Sequence, residues 1–266
     1  MGSEMCIRDR ADIAPARWLS PLTLTHVGLH LWFIAFLFLF SVMAVPIFTW
    51  FRRDAGRSFI ARLARLVQAR GGILLFVLPL AVVRILIQPF APEEHGWLDF
   101  VYSFVFFVLG YVIYSDDRFL PAIRRDRWLL LATGLLGMAI GGAMGAVAGD
   151  ELFEWAETFV MPWSIIVQLT FAMTAWGWAL FVLDLARSRL NRPSRLLTRA
   201  NEAIMPFYLL HQPVIIVIAF FVVEWSTGIL PKMVTVIVGS FVVTIAIYEA
   251  LRRLKPVRTL LGMKAT

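Results

Sequence analysis

Long apolar segments alternate with short polar connections along almost the whole chain. Each segment is long enough to cross a hydrocarbon core of about 30 Å as a helix that rises about 1.5 Å per residue. The pattern predicts an all-α fold, a polytopic membrane helix bundle with about seven transmembrane helices in one membrane domain over residues 11–266. The predicted spans are residues 29–51, 72–89, 97–114, 128–148, 161–183, 203–223 and 230–250.

The connections between the spans alternate in charge. Basic segments follow the first, third, fifth and seventh spans: RRDAGRSFIARLARLVQAR, SDDRFLPAIRRDR, ARSRLNRPSRLLTRA and RRLKPVRTLLGMK. Acidic segments, APEEHG and GDELFEWAETF, follow the second and fourth. The positive-inside rule places the basic segments and the C-terminus in the cytoplasm, as in a multi-pass protein of the bacterial inner membrane. The net charge of +7 therefore indicates membrane topology, and we expect no nucleic-acid partner.

The basic segment 52–70 also has helical spacing. Its apolar side chains are predicted to lie among lipid headgroups while its arginines face phosphates. It is either an ordinary cytoplasmic loop that sets topology or a binding surface for an anionic cytoplasmic cofactor. The apolar set is Phe59, Leu63, Leu66 and Val67, and the basic set is Arg57, Arg62, Arg65 and Arg70.

Composition supports a membrane protein and removes some chemistry. The chain is 60% hydrophobic and 16% charged, whereas soluble domains carry about 25% charged residues. The first ten residues, MGSEMCIRDR, resemble a translated sequencing adapter, so residues 1–10 are excluded as an artefact. They contain the single cysteine, Cys6, so no disulfide or cysteine nucleophile is expected. An adapter start predicts that the true N-terminus lies upstream, and an outside N-terminus followed by seven spans predicts that an odd number of spans is missing there.

Two polar groups stand out in the first two spans. His30 lies near the outer end of the first span beside Trp32, and can both donate and accept a hydrogen bond. His26 lies four residues before His30, but without a third ligand nearby no metal site is expected. Arg84, in LPLAVVRILIQPF, either snorkels to the outer interface or is a buried cation that meets an anionic substrate or a carboxylate.

The segment RANEAIMPFYLLHQPVIIV carries a polar stripe into an apolar span. At about 100° per residue, Asn201, Tyr208 and Gln212 fall near one line, with His211 about 60° from Tyr208. Glu202 lies about half a turn from His211, unless Pro206 kinks the helix. The stripe either joins helices or forms a functional site, because ionisable groups inside a membrane are usually functional.

Four segments, in this order, resemble membrane acyltransferase family 3, and within it the glucan-modifying, glucan succinyltransferase-like branch. They are HLWFIAFLFLFSV, LGYVIYSDDRFLPAIRRDR, NEAIMPFYLLHQPVIIV and SFVVTIAIYEALRRLKPVRTLLGMK. The resemblance implies a bundle of about ten helices, of which this chain is the C-terminal part. It implies an enzyme that moves an acetyl or succinyl group from cytoplasmic acyl-CoA to a hydroxyl of a periplasmic or cell-surface carbohydrate such as a glucan. Membrane lipid and the carbohydrate are the expected partners.

The resemblance also suggests roles for particular residues. The family's catalytic element, a basic residue followed about ten residues later by a histidine, has no counterpart in an apolar span here. We therefore expect the main catalytic histidine upstream and this fragment to be inactive. His211 and His30 take supporting roles at the reaction centre, and Arg84 meets an anionic acyl or sugar group. The remaining expected substrate-binding residues are Trp32, Asn201, Glu202, Tyr208 and Gln212.

A different class, secondary transport of a small polar solute, fits some of the same features. Transporters also have polar residues near the midplane and spans interrupted by glycine or proline. The sequence shows few midplane acidic groups and no inverted repeat, which favours the enzyme. A membrane anchor or sensor would leave the polar stripe of residues 201–212 without a role. The sequence makes no prediction of oligomeric state.

Overall fold

A computed structural model describes residues 31–90, 96–149, 163–191 and 194–253. Within these ranges the chain forms nine α-helices and no strand. The chain divides into two compact units, Met1–Arg189 and Leu190–Thr266, and each is described by itself. The all-α fold predicted from the apolar pattern is therefore confirmed for the part of the chain that the structure describes.

The first unit contains seven α-helices. A short 3-10 turn, Gly72–Phe76, leads directly into the third of them, and a π-helical turn, Ala186–Leu190, follows the seventh. The helices are α1 (Trp32–Phe51), α2 (Asp54–Leu66), α3 (Val77–Ile87), α4 (Trp97–Tyr114), α5 (Phe119–Arg125), α6 (Arg127–Ala148) and α7 (Trp163–Leu185).

Six helices in the described ranges are long and apolar enough to cross a membrane, and each covers most of one predicted span. The second predicted span, 72–89, differs because it is a 3-10 turn followed by the 11-residue helix α3. A 3-10 turn rises about 2.0 Å per residue. The turn and α3 together therefore extend about 26 Å, close to the thickness of a hydrocarbon core.

Helices α6 and α7 pack with their backbones in contact. A Cβ atom added to Gly177 of α7 would lie 2.6 Å from the backbone nitrogen of Gly134 on α6, so a side chain there would collide with backbone. Trp176, also on α7, is buried, and its indole Nε1 donates a 3.0 Å hydrogen bond to the carbonyl of Ile73. Helix α7 is thereby joined to both α6 and the 3-10 turn.

An aromatic cluster joins α1 to α4. Phe36 and Phe40 of α1 are buried against Phe100 of α4, with ring centroids 5.1 and 5.0 Å from that of Phe100. Both pairs meet edge to face, a favourable geometry for aromatic rings. The sequence places these phenylalanines on one face because Phe36 and Phe40 are four residues apart in a helix.

The first two basic segments meet at one end of the first unit. The guanidinium of Arg125 donates hydrogen bonds to the carbonyls of Val67, Gln68 and Ala69 at 3.0, 2.6 and 2.8 Å. The Asp126 carboxylate accepts a 3.0 Å bond from the Gly71 amide. Gly71 has a φ of 76°, in the left-handed region that glycine adopts without strain. The loops around residues 52–71 and 115–126 thus share one end of the bundle.

The amphipathic helix predicted in segment 52–70 is present as α2, but the expected division of its faces is wrong in part. Val67, just after the helix, is fully buried beside the inward face of Ile60 and Ala64. Phe59 and Leu66 are exposed, as expected. A side chain at Gly56 would collide with the backbone of Trp50, so Gly56 belongs to the same inward face as Ile60 and Ala64.

The second unit is a helical hairpin. Its helices, α8 (Arg195–Val223) and α9 (Ile229–Leu251), pack against each other across a short connection. Ser194 caps α8, since its hydroxyl accepts a 3.0 Å bond from the Leu197 amide. Helix α8 continues through Pro206 and Pro213, so neither proline ends it.

Candidate functional site

His211 lies on α8 with a defined hydrogen bond. Its Nδ1 atom is 2.7 Å from the backbone carbonyl oxygen of Tyr208. Because a carbonyl can only accept, Nδ1 carries the proton and donates it. In the neutral ring, Nε2 then keeps a lone pair that can accept a hydrogen bond or a proton. The local contact therefore fixes the tautomer that an acceptor of a hydroxyl proton needs.

Aromatic rings surround the imidazole of His211. The Phe207 ring stacks parallel to it, with centroids 6.0 Å apart and planes at 5°, and the Tyr208 ring lies at 5.6 Å. Phe241 of α9 contacts Phe207 at 5.8 Å. The imidazole therefore packs against two rings of α8 at the surface of the hairpin.

The His211 imidazole lines two grooves of the second unit. One, of about 510 Å³, extends from His211 toward Ala200 and Ile245. The other, of about 490 Å³, extends from His211 toward Ile215 and Ser240. Their walls are mainly apolar, so the His211 imidazole is a polar group in an apolar setting, an arrangement that fixes the orientation of a bound ligand.

Helix α9 contributes a row of buried polar residues that the sequence analysis did not identify. Ser240, Thr244 and Tyr248 are spaced four residues apart and are all buried. Among the residues that the structure describes, the hydroxyls of Ser240 and Thr244 have no hydrogen-bond partner. The spacing within SFVVTIAIY was the available signal, but isolated hydroxyls are common in apolar spans and did not stand out.

The other polar residues predicted on α8 are not all brought together. Tyr208 and His211 are in contact, and Gln212 is half-buried beside them in sequence. Asn201 and Glu202 are exposed near the start of the helix. Because α8 is continuous, Glu202 lies about 13 Å along the axis from His211 and on its opposite side.

Of the two site residues predicted near the start of the first span, the structure describes only Trp32. His30 lies outside the described residues. Trp32 begins α1, where its ring meets that of Phe36 edge to face at 5.6 Å. Trp32 therefore belongs to the aromatic cluster that joins α1 to α4.

Arg84 is turned into the first unit. Its Nε donates a 2.8 Å hydrogen bond to Oε1 of Gln168 on α7, and an Nη atom lies 3.5 Å from Oε1 of Gln88. Gln168 is fully buried. No ion pair joins Arg84 to a carboxylate in the described ranges. Arg84 is half-buried, and its guanidinium is bonded to Gln168 of α7.

Two aromatic faces flank the guanidinium of Arg84. Its central carbon lies 4.7 Å from the ring centroid of Phe171 and 5.2 Å from that of Tyr102. The Tyr102 hydroxyl is buried and has no hydrogen-bond partner within the described parts of the chain. Cation–π contact holds the planar guanidinium between the rings. A fixed guanidinium and a free hydroxyl are groups that can bind a carboxylate or a sugar.

The sequence pattern points to Arg84 but to none of its partners. Gln168 is 84 residues away and sits alone in an apolar span. Tyr102 and Phe171 resemble ordinary apolar or interfacial residues of their helices. Only the packing of α3 against α4 and α7 unites them.

Comparison with known families gives a match that covers most of the chain. Residues 10–249 match an acyltransferase domain, that of acyltransferase family 3. No curated protein and no solved structure matches the chain. The match agrees with the apolar helices suited to a multi-pass membrane protein. The chain thus belongs to acyltransferase family 3, a family of membrane acyltransferases.

Proposed function

We propose that this protein is an O-acyltransferase of the bacterial inner membrane. It moves an acetyl or succinyl group from cytoplasmic acyl-CoA to a hydroxyl of a periplasmic or cell-surface carbohydrate such as a glucan. Family membership supports the acyl transfer. The observation that carries the residue-level proposal is the His211 imidazole, whose Nδ1 donates to Tyr208 and leaves Nε2 as an acceptor.

The reaction joins the carbohydrate oxygen to the acyl carbon. The hydroxyl oxygen attacks the thioester carbonyl, the carbon–sulfur bond breaks, and an ester forms. The hydroxyl proton leaves to a base, and the departing thiolate takes up a proton to give free coenzyme A. His211 supports this step when its Nε2 accepts a hydrogen bond from the attacking hydroxyl and orients it. His30 is assigned a similar supporting role on sequence grounds alone.

Arg84 is proposed to bind the anionic part of a substrate. Its Nε is bonded to Gln168, one Nη makes a long contact with Gln88, and the rings of Tyr102 and Phe171 lie beside the guanidinium. The remaining N–H groups suit a carboxylate, which a succinyl group carries at its free end. The Tyr102 hydroxyl can add a further hydrogen bond.

The other proposed substrate contacts lie on α1 and α8. Tyr208 and Gln212 flank His211, whereas Asn201 and Glu202 are exposed near the start of α8, where a polar ligand can reach them. Trp32 offers a ring at the start of α1, of the kind on which a sugar face packs. No metal is needed for this chemistry, because the thioester is already an activated acyl donor.

The test is acyl transfer by the purified protein. The protein is expressed from its native locus, with any coding sequence that precedes Ala11, and incubated with radiolabelled acetyl-CoA or succinyl-CoA and a bacterial glucan. Label that becomes attached to the glucan and is released by mild alkali, as an ester is, supports the proposal. Labelled donor that stays intact with every carbohydrate tested refutes it.

Secondary transport is the alternative function, and one feature of α8 weighs against it. Transporter sites are commonly built from interrupted helices. Helix α8 instead continues through both of its prolines. Uptake of a labelled polar solute into proteoliposomes, without any acyl transfer, would favour transport.

A further inference from the structure

A cavity of about 600 Å³ lies at the basic end of the first unit. The end of α1, the start of α2 and the end of α4 surround it. Its volume is within the range of about 300–1,000 Å³ typical of small-molecule sites. Phe51, Arg52, Arg57, Tyr111 and Asp116 line it, so it combines flat aromatic rings with cations.

The aromatic rings beside this cavity are nearly parallel. Tyr111 stacks on Phe48 with centroids 3.9 Å apart and planes at 12°. Phe51 is parallel to Tyr111 within 13° at 5.8 Å, and to Phe59 within 3° at 6.3 Å. Phe51 and Tyr111 both line the cavity, but Phe51 is buried, so the half-buried ring of Tyr111 is the surface on which a planar base can stack.

The two arginines of the cavity are available for a ligand. Within the part of the chain that the structure describes, the Arg52 guanidinium makes no hydrogen bond or ion pair. Arg57 contacts Asp54 at 3.2 Å, but both side chains are largely exposed. An exposed pair of this kind contributes little and exchanges readily. Both guanidinium groups can therefore turn their paired N–H donors toward phosphate oxygens.

The acidic residue of the cavity, Asp116, already has a partner. Its carboxylate accepts bonds of 2.8 and 2.7 Å from the Arg118 guanidinium and one of 3.0 Å from the Arg118 amide. The side-chain hydrogen bond from Arg118 holds the pKa of Asp116 below its usual range. Its charge is thus compensated, and the charge presented to a ligand comes from Arg52 and Arg57.

We propose that this cavity binds a phosphorylated adenine nucleotide, with the purine against Tyr111 and the phosphates on Arg52 and Arg57. Coenzyme A carries such a group at the end remote from its thioester, and in this respect the inference rests on the proposed function. The position agrees with a cytoplasmic donor, because the cavity lies among the basic loops that the positive-inside rule assigns to the cytoplasm.

Binding of adenosine 3′,5′-bisphosphate tests the site without any need for catalysis. The compound is titrated calorimetrically into the protein in nanodiscs of zwitterionic lipid. The double variant Arg52→Gln, Arg57→Gln is expected to raise the Kd about tenfold or more, because charged hydrogen bonds to phosphate are lost. Arg53→Gln is the matched control, an exposed neighbour outside the lining residues, and should change the Kd less than about twofold.

Two substitutions of Tyr111 test whether the base stacks on its ring. Tyr111→Leu should weaken binding of adenosine 3′,5′-bisphosphate about fivefold or more through lost stacking, and leave binding of inorganic pyrophosphate the same. Tyr111→Phe keeps the ring and should keep the affinity. Equal binding of pyrophosphate and the nucleotide by the wild type, or displacement of both by an anionic lipid, would identify a phosphate or headgroup site and overturn the proposal.

Failure of nucleotide binding at this cavity can be distinguished from failure of the proposed acyl transfer. If acyl transfer proceeds but the double arginine variant keeps its Kd for the nucleotide and its KM for acyl-CoA, the assignment of this cavity fails and the acyltransferase stands. If the nucleotide binds here as described but no acyl group is transferred, the cavity assignment stands and the acyltransferase proposal fails.

Discussion

The Nε atom of Arg84 donates a 2.8 Å hydrogen bond to Oε1 of Gln168, so a cation of α3 is held by a fully buried amide of α7. The contact fixes the plane of the guanidinium between two aromatic rings. Lysine cannot reproduce it, because an ammonium group has neither the planar fork nor the Nε donor.

Replacement of Arg84 should distinguish the two candidate donors. Arg84→Gln is expected to raise the KM for succinyl-CoA about tenfold or more, since a bond to the acyl carboxylate is lost. The effect with acetyl-CoA, which has no such carboxylate, should be much smaller. The measurement is the KM for each donor in the glucan assay, with Arg84→Lys as the charge-preserving comparison. An equal rise for both donors would mean that Arg84 acts only in packing.

Three substitutions of His211 separate its two nitrogens. His211→Gln keeps a polar group near the position of Nε2, whereas His211→Asn keeps one near Nδ1 and removes the other. If Nε2 orients the attacking hydroxyl, His211→Asn and His211→Ala should lower kcat by up to about a hundredfold, and His211→Gln by less. The kcat values, compared at matched thermal stability, provide the check. Unchanged turnover in His211→Ala would show that the residue is structural only.

The contact between α6 and α7 predicts a sharp difference between two glycines. Gly177→Ala would place a methyl group 2.6 Å from backbone of α6 and should destabilise the protein by about 1–3 kcal/mol. Gly142→Ala, on the exposed face of α6, meets nothing within 4 Å and should cost nothing measurable. Melting temperatures in one detergent provide the comparison. Equal melting temperatures for both variants would contradict the close packing.

Asp126 predicts a dependence of stability on pH. Hydrogen bonds from the Arg125 side chain and then the Gly71 amide hold the pKa of Asp126 below its usual range. A depressed carboxyl pKa stabilises the fold above the unfolded value, about 3.9, and this contribution is lost as the pH falls through the folded value. Asp126→Asn should cost about 1–3 kcal/mol at pH 7.

The measurement for Asp126 is thermal stability between pH 7 and pH 3.5. The difference in stability between wild type and Asp126→Asn should begin to shrink below about pH 4, where the carboxylate of the unfolded chain takes up a proton, and should continue to shrink toward the lower pKa of the folded state. Asp117→Asn, an exposed neighbour in the same loop, is the control and should follow the wild type. A difference that stays constant over the whole pH range would refute the role of the ionised carboxylate.

Helix positions were predictable because an apolar run of sufficient length permits little else in a membrane. The span predicted at 97–114 coincides with Trp97–Tyr114. The 3-10 turn at the start of span 72–89 was not predictable, because composition alone does not distinguish a 3-10 turn from an α-helix. The inward face of α2 includes Gly56, which packs on the backbone of Trp50, a contact that periodicity does not reveal.

The candidate sites were predictable only in their ionisable members. Arg84 and His211 stand out in apolar spans because charge is costly there. Their partners are of two kinds. Tyr208 is local, three residues from His211, and helical spacing placed it near that residue, although not as a backbone hydrogen-bond partner. Gln168 comes from a distant helix, and the bond between Asp126 and Gly71 joins residues 55 apart, so both depend on tertiary packing.

The most direct test of the acyltransferase account is acyl transfer across sided membrane vesicles. Inverted inner-membrane vesicles, which expose the cytoplasmic face, are loaded with glucan and supplied with radiolabelled acyl-CoA from outside. The account predicts alkali-labile label on the enclosed glucan. In right-side-out vesicles, with both the donor and the glucan supplied outside, it predicts no label on the glucan. Label in neither preparation, or labelling of external glucan only with donor on the periplasmic side, would contradict it.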